Sequence, residues 1–361
     1  MTVFYVIFAI FVFSFLIAIH ELGHFIAAKL FGVRVNEFAI GMGPAFFQKE
    51  VGETTYSLRC FPIGGFCAME GEDEDTGDPR AFTAAAWWKR AIILVAGAAM
   101  NFLSGLLILV CIFGFAQGKD YEYIPQPVIA NFSAGSAVEG ENGLQVGDRI
   151  YEIDGEKVYT ASNVSMLLNL GLSDSPDVHD IVVIRDGNKV VLSNFQMEKR
   201  VSNGNGQELR YGINLSSVPR TLGSTLSYSW NSAKDFVRMV WLSFRMLFTG
   251  RAGVKDLGGP VLIVKTIADT GTNSRNLGEG IINVSYFAAF IAVNLAVMNL
   301  LPIPALDGGR LFGTVIVTTI EKISKKKVNP KIEGYVHAVG MVILLAFMAL
   351  VAFKDVFTLF K

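Results

Sequence analysis

The sequence has little charge and little cysteine. Only 17% of its 361 residues are Asp, Glu, Lys or Arg, whereas 52% are hydrophobic. Soluble globular domains carry about 25% charged residues, so this composition argues against an ordinary soluble chain. The net charge is −1, and no basic run is present outside Lys325–Lys327. The charge therefore gives no support for nucleic-acid binding.

Three cysteines are present, at Cys60, Cys67 and Cys111. They are too few for a disulfide framework, and no pair has the CxxC spacing of a structural zinc site. We interpret them as small, buried apolar residues.

Four stretches are long and apolar enough to cross a membrane, which takes about 20 helical residues. They run from Val3 to Phe31, Ala91 to Ala116, Ile281 to Leu306 and Tyr335 to Phe353. Lys and Arg collect after the first and third stretches, at Lys89, Arg90, Arg310, Lys322, Lys325–Lys327 and Lys331. Positive residues mark cytoplasmic loops. The N-terminus, residues 117–280 and the C-terminus are then expected outside the cytoplasm.

Two extramembrane segments lie between the second and third spans. Residues 125–216 are more polar, with short β-branched runs, a predicted hairpin at Asp154-Gly155 and a predicted helix from Ser162 to Leu170. Residues 222–280 begin with Leu222–Phe248, which is too charged to span. This stretch predicts an amphipathic helix on the outer membrane surface or, alternatively, a helix packed on protein.

Residues 35–70 carry a strand-like run around Tyr56 between glycine-rich segments. A hairpin that dips toward the membrane and an ordinary cytoplasmic loop both fit this pattern.

The first span is interrupted by His20-Glu21-Leu22-Gly23-His24. In a helix, His20 and His24 project from one face one turn apart, so both imidazoles can reach one Zn²⁺. Glu21 is then placed to accept a proton from water. His20 lies roughly 26 Å along the helix from Val3, near the inner edge of the apolar slab. Ionisable groups at that depth are functional by default.

A catalytic zinc needs a third protein ligand. The first and third spans have the same orientation, and Asp307 directly follows the third. Its carboxylate is therefore expected at the depth of His20 and His24, although an N-cap of the next helix is the alternative. Nothing in the spacing ties His337 to the metal, so we interpret it as a helix-end residue.

Two asparagines, Asn294 and Asn299, lie in the third span. Uncompensated amides in lipid are costly, so each must form hydrogen bonds. They either join helices or bind the substrate backbone or a developing oxyanion.

These motifs resemble the site-2 protease family of intramembrane metalloproteases, and within it the bacterial branch of the regulator of sigma E protease. The resemblance is carried by HELGH at 20–24, by NLAVMNLLPIPALDGG at 294–309, by FPIGGF at 61–66 and by GP at 259–260. In addition, GLQVGDRIYEIDGEKV at 143–158 resembles a bacterial PDZ domain. One departure is Gly97-Ala98-Ala99-Met100-Asn101, which lacks the proline of the family's AGPxxN.

The resemblance implies a fold with four transmembrane helices, a membrane-associated hairpin or loop and one inserted α+β PDZ-like domain. The expected divisions are an N-terminal membrane half at 1–116, the hairpin or loop at 35–70, the PDZ-like domain at 125–216, a surface helix and linker at 222–280, and a C-terminal membrane half at 281–361.

The resemblance also implies zinc ligands at His20, His24 and Asp307, a general base at Glu21 and substrate contacts at Asn294 and Asn299. The expected activity is hydrolysis of single-span, pre-cleaved membrane proteins, such as anti-sigma factors or remnant signal peptides, in the bacterial cytoplasmic membrane. An exposed strand near Tyr56 is expected to hold the extended substrate. A membrane metal transporter and a non-catalytic PDZ scaffold are the alternatives, and the sequence does not fix the oligomeric state.

Overall fold

A computed structural model describes residues 2–72, 76–116, 122–170, 177–197, 201–202, 209–251, 253, 258–325 and 330–359. In chain order the helices are α1 (Thr2–Leu30), α2 (Trp87–Phe115), α3 (Ala161–Asn169), α4 (Leu222–Phe248), α5 (Pro260–Thr272), α6 (Leu277–Asn299), α7 (Asp307–Ser324) and α8 (Pro330–Leu359). The strands are β1 (Val35–Val51), β2 (Thr54–Met69), β3 (Tyr123–Phe132), β4 (Arg149–Ile153), β5 (Glu156–Lys157), β6 (Val178–Arg185), β7 (Asn188–Gln196), β8 (Val201–Ser202), β9 (Leu209–Arg210) and β10 (Ile213–Pro219). The chain divides into two units, Met1–Ile108 with Phe236–Lys361, and Leu109–Asp235.

Four helices within the described residues are long and apolar enough to cross a membrane. They cover Val3–Leu30, Trp87–Phe115, Leu277–Asn299 and Gly334–Phe357, which confirms the four predicted spans. The third span ends earlier than predicted, at Asn299 instead of Leu306. Pro302 and Pro304 lack a backbone N–H and cannot continue the helix, which explains the early end.

The first unit is held by an apolar cluster that joins three helices. Tyr5, Ala9, Val12 and Leu16 recur at helical spacing along one side of α1. They pack against buried residues of α5 and α6, namely Ile267, Ala268, Val284, Ala288, Ile291 and Ala292. This cluster fixes the helix that carries His20 against the helix that leads to Asp307.

Two helices lie where the sequence pattern indicated connections. α5 occupies part of the segment expected as a linker, and α7 occupies most of the segment expected as a basic loop. α5 is capped from a distant part of the chain, because Asp355 Oδ2 accepts hydrogen bonds from the backbone nitrogens of Gly259 (2.9 Å) and Leu262 (3.1 Å). Asp355 belongs to α8 and is itself buried.

β1 and β2 form an antiparallel hairpin within residues 35–70, while its approach to the membrane stays a prediction. Both strands bend back, and several residues therefore pair twice. Phe38 is paired with Tyr56 and with Cys67, and Tyr56 is also paired with Lys49. Tyr56 is thus covered on both sides, whereas Gly65, Phe66 and Cys67 are each paired on one side only among the described residues. The exposed strand expected near Tyr56 is therefore an inner strand. Among the described residues the sheet has two free edges, at 47–51 and at 65–67, and the one at 65–67 lies next to α1.

The second unit contains a six-stranded sheet in the order β10-β3-β4-β6-β7, with β5 paired to β4. The predicted tight turn between β4 and β5 is present, since Asp154 and Gly155 have φ angles of 50° and 81°. The predicted helix at 162–170 is α3, displaced by one residue.

Within the second unit, the start of α4 packs against α3. The side chain of Asn163 donates a hydrogen bond to Asp235, and both residues are buried. α4 has the predicted bounds, Leu222–Phe248. Leu222, Leu226 and Trp230 remain exposed on it.

The cysteines differ from the prediction. Cys67 is buried, but Cys60 and Cys111 are exposed. Cys111 belongs to the apolar helix α2, where a thiol facing lipid loses little by not being covered with protein.

Candidate metal centre

His20 and His24 lie on one face of α1, as the HExxH spacing requires. Their Nε2 atoms are 3.2 Å apart, and the two rings meet edge to face. Both residues are buried. The apolar run on either side of the motif keeps α1 helical through residue 30, so the two imidazoles are held on a rigid element.

The position of His24 is fixed by its second ring nitrogen. Nδ1 lies 2.8 Å from the carbonyl oxygen of Ile93 in α2. A carbonyl only accepts hydrogen bonds, so Nδ1 carries the proton. In the neutral ring Nε2 therefore presents a lone pair toward His20, which is the arrangement found in metal-binding histidines.

Asp307 completes the cluster. Its Oδ2 atom lies 3.0 Å from His20 Nε2 and 3.2 Å from His24 Nε2. Asp307 is the first residue of α7, and the N-cap position is occupied by Leu306. The alternative that Asp307 is the N-cap is therefore wrong.

The chain reaches this position through a tight return after α6. A Cβ at Gly308 would lie 2.2 Å from the carbonyl oxygen of Leu301, so only glycine fits directly after Asp307. Arg310, three residues after Asp307, donates a hydrogen bond to Glu72, which follows β2. The glycine and the ion pair together hold the start of α7.

These three residues fit a zinc ion. Ligand atoms from His20, His24 and Asp307 lie within 4.8 Å of one another. Asp307 Oδ2 is buried without a hydrogen-bond partner. Three atoms that carry lone pairs repel each other in a buried site unless a cation lies between them. Two imidazoles and one carboxylate are a common ligand set of catalytic zinc, which keeps a fourth position open.

α2 closes one side of the site at Gly97. A Cβ at this position would lie 2.4 Å from His24 Nε2 and 2.8 Å from His20 Cε1. Any larger residue would therefore displace both imidazoles. A single sequence gives no signal for this contact, because the glycine is one of several small residues in an apolar helix.

Two amide side chains surround His20. Asn299 Nδ2 is 3.3 Å from His20 Nε2, and Asn101 Nδ2 is 3.4 Å from His20 Nδ1. Asn101 is fully buried, and its Oδ1 atom has no hydrogen-bond partner. An amide turned by 180° would let this oxygen accept the Nδ1 proton of His20, which leaves Nε2 free for a metal. Sequence reasoning did not single out Asn101.

A cavity of about 320 Å³ opens onto the cluster. His20, Glu21 and Asp307 contribute its polar wall together with Asn101 and Asn299. Ile17, Leu295 and Leu306 contribute apolar wall. Glu21 therefore lines the same cavity as two of the candidate ligands, His20 and Asp307, with space for a small reactant beside them.

Two further polar residues of the sequence analysis lie apart from this cavity. Asn294 does not line it, and its buried Oδ1 atom has no hydrogen-bond partner. His337 Nδ1 lies 3.3 Å from the backbone nitrogen of Ala305, and the residue is outside the three-ligand cluster.

Comparison with known proteins agrees with this geometry. Residues 8–347 match Peptidase family M50, the site-2 protease family, and the chain belongs to that family. It is 36% identical over 357 residues to a protein of Clostridium perfringens that is named as a predicted zinc metalloprotease, covering 98% of both chains. It is 32% identical over 346 residues to a protein of Fusobacterium nucleatum with the same kind of name, covering 96% of both.

A further relative is the regulator of sigma-W protease RasP of Bacillus subtilis. The identity is 28% over 435 residues, covering 97% of this chain and 98% of RasP. The family and the relatives together identify the chain as a membrane zinc metalloprotease.

Replacing Gly97 with alanine is expected to remove most bound zinc, because the added methyl group occupies the space of the His24 ring. Zinc per protein is measured by atomic emission after purification in detergent. Gly114→Ala in the same helix is the matched control, since its Cβ would meet its nearest neighbour at an ordinary 3.7 Å. Equal zinc content in the two variants would contradict this account of the site.

Proposed function

We propose that this chain is an intramembrane zinc endopeptidase that hydrolyses peptide bonds within or next to the transmembrane segments of single-span membrane proteins. One observation carries the proposal. His20, His24 and Asp307 converge on one point, and Glu21 lies in the cavity beside them. His20 and His24 lie on α1, which is long and apolar enough to lie in lipid, and Asp307 closely follows α6, another such helix. Ionisable groups at such positions serve a function.

The residues have separate roles in this reaction. Zinc bound to His20, His24 and Asp307 supplies Lewis-acid chemistry that polarises a carbonyl and activates water at neutral pH. The Glu21 carboxylate accepts a proton as the water oxygen forms a bond to the carbonyl carbon. It then donates that proton to the amide nitrogen as the C–N bond breaks.

Asn299 is suited to bind the carbonyl that is attacked. Its Nδ2 lies at the cluster, and its side chain lines the cavity. An N–H donor at the position of a developing oxyanion lowers the reaction barrier. For Asn294 the same role stays a prediction from the sequence, and its buried, unpartnered oxygen is compatible with interhelical or substrate contact.

A substrate helix must unwind before its amides can be cut, and the edge of the β1–β2 sheet offers the extended segment a partner. A Cβ at Gly65 would lie 3.6 Å from Glu21 Cγ, so the free edge passes next to the general base. Main-chain pairing along such an edge binds peptides with little dependence on sequence. The edge at residues 65–67 replaces the strand near Tyr56 as the substrate-binding strand in this proposal.

We assign residues 125–216 as a PDZ-like domain that restricts which substrates reach the cavity. The antiparallel sheet with the Asp154-Gly155 turn and α3 supports this assignment. PDZ domains bind extended peptides by adding a strand to a sheet edge. The basic residues after the first and third spans support an orientation with this domain outside the cytoplasm and the zinc site near the cytoplasmic side of the bacterial inner membrane.

The similarity to the regulator of sigma-W protease supports membrane-bound regulators of transcription, such as anti-sigma factors, as substrates. Remnant signal peptides are a second substrate class with the same chemistry, since each is a single apolar segment. A metal transporter needs ionisable groups spread along a path. Here the three candidate ligands form one cluster, and Glu21 lines a cavity together with His20 and Asp307, which favours hydrolysis.

The substitutions Glu21→Gln and Asp307→Ala are expected to have different effects. Glu21→Gln keeps all three ligands, so zinc content stays at the wild-type level while cleavage of a model transmembrane substrate falls at least about 100-fold. Asp307→Ala removes a ligand, so zinc content and cleavage both fall. Zinc is measured by atomic emission and cleavage by gel assay in detergent.

Asp269→Ala is the control, since this exposed carboxylate lies outside the cluster. A non-catalytic scaffold predicts that Glu21→Gln has no effect on any activity of the chain. Undiminished cleavage by Glu21→Gln would contradict the role of Glu21 as general base. Full zinc retention in Asp307→Ala would show that the third ligand is another residue.

A photo-crosslinking amino acid placed at Phe61 is expected to capture a transmembrane substrate in the Glu21→Gln background, because Phe61 is exposed beside the free edge. The same amino acid at Phe47, which is also exposed but lies on the other free edge of the sheet, is the control. Crosslinks are counted by immunoblot. Equal capture at both positions would contradict substrate binding at residues 65–67.

A further inference from the structure

The second unit contains a cavity with an unusual surplus of positive charge. Its volume is about 360 Å³, within the range of small-molecule sites. Arg149, Lys157 and Lys234 line it, together with the rings of Tyr151 and Tyr159. No carboxylate is among the described residues that line it. Three cations facing one space attract an anion.

The charges of these three residues are not neutralised by neighbours. Within the part of the chain that the structure describes, no carboxylate lies within ion-pair distance of Arg149, Lys157 or Lys234. Lys157 lies opposite Glu152 in the β4–β5 register. The acidic residues next to Arg149 and Lys234 in the sequence are engaged elsewhere. Asp148 is paired with Arg185, and Asp235 accepts a hydrogen bond from Asn163.

Aromatic rings hold some of the cations in place. The Lys234 ammonium lies 4.8 Å from the centre of the Tyr159 ring. A fourth cation, Lys189, lies 4.5 Å from the centre of the Tyr151 ring. Such contacts orient an ammonium group but leave its charge in place. Of the three cations that line the cavity, Lys234 is thus oriented by a ring, whereas Arg149 and Lys157 are exposed at its mouth.

An apolar stripe borders this cavity on α4. Leu222, Leu226 and Trp230 are spaced four residues apart, so they lie along one side of the helix, and all three are exposed. Lys234 follows Trp230 by one turn on the same side. The cation-lined cavity thus continues directly into an exposed apolar surface that ends in an indole ring.

The start of α4 is fixed to one end of a membrane span. Arg220 Nη1 donates a hydrogen bond to the carbonyl oxygen of Ala116 (2.6 Å), directly after α2. The Tyr228 ring packs edge to face on Phe113 of α2, with ring centres 4.7 Å apart. The end of a spanning helix lies at the level of lipid headgroups, where tryptophan is also enriched. The stripe and the cavity are therefore at a membrane surface.

We propose that this cavity binds the phosphate of an anionic phospholipid headgroup. Arg149, Lys157 and Lys234 hold the phosphate, and Leu222, Leu226 and Trp230 lie against the glycerol and upper acyl chains of the same lipid. A free phosphate would satisfy the cations but would leave the apolar stripe uncovered. The stripe is what favours a lipid over a soluble anion.

The test uses the full chain in neutral detergent micelles, titrated with phosphatidylglycerol or with phosphatidylcholine and followed by native mass spectrometry. The unsubstituted protein is expected to retain one phosphatidylglycerol in preference to phosphatidylcholine. The triple variant R149Q/K157Q/K234Q is expected to bind phosphatidylglycerol about 100-fold more weakly, because each lost cation removes one contact with the phosphate. The charge-conserving variant R149K/K157R/K234R is expected to restore most of the binding.

Two controls decide between outcomes. K49Q/K322Q/K325Q removes the same charge from exposed positions of the other unit and is expected to leave the retained lipid in place. An equal loss in that variant, or no loss in R149Q/K157Q/K234Q, would overturn the proposal. Inorganic phosphate in tenfold excess is expected not to displace phosphatidylglycerol, and complete displacement would assign the cavity to a soluble anion. The thermal unfolding midpoint of each variant confirms that it is folded.

Discussion

The first unit holds three atoms with lone pairs so close together that they repel each other, and the rest of its structure must accommodate this constraint. The Nε2 atoms of His20 and His24 and Oδ2 of Asp307 are separated by only 3.0 to 3.2 Å, in a cluster that is largely buried. The surrounding helices therefore form a site whose lowest free energy requires a divalent cation, and zinc binding and local folding are coupled.

Rigid packing around the cluster compensates for this repulsion. The apolar cluster of Tyr5, Ala9, Val12 and Leu16 holds α1, Gly97 brings α2 against both imidazoles, and the Glu72–Arg310 pair holds α7. The first and third contacts hold the two helices that carry the ligands, and Gly97 lets α2 pack against the first of them. Because the ligands lie on packed helices rather than on loops, the site needs little rearrangement to accept its metal.

The sequence predicted the chemistry better than the packing. HExxH places two imidazoles by helical period alone, and Asp307 followed from the shared orientation of two spans. Gly97 and Asn101 were named only as part of the AGPxxN-like segment and were given no role at the metal, because the partner across a helix interface cannot be deduced from one apolar sequence. The inner position of Tyr56 was not predicted either, since the double pairing of β1 and β2 depends on bulges that strand propensity does not encode. α5 and α7 were missed because they are too short or too charged for a span.

The Asp355 carboxylate that caps α5 belongs to α8 and lies 96 residues after Gly259 in the sequence. During synthesis, α5 emerges and meets the bilayer well before this carboxylate exists. The amides of Gly259 and Leu262 then lack their final acceptor, which is costly wherever lipid excludes water. The N-terminal end of α5 can thus settle only after α8 has been made and inserted, so the order of biosynthesis delays completion of the first unit until then.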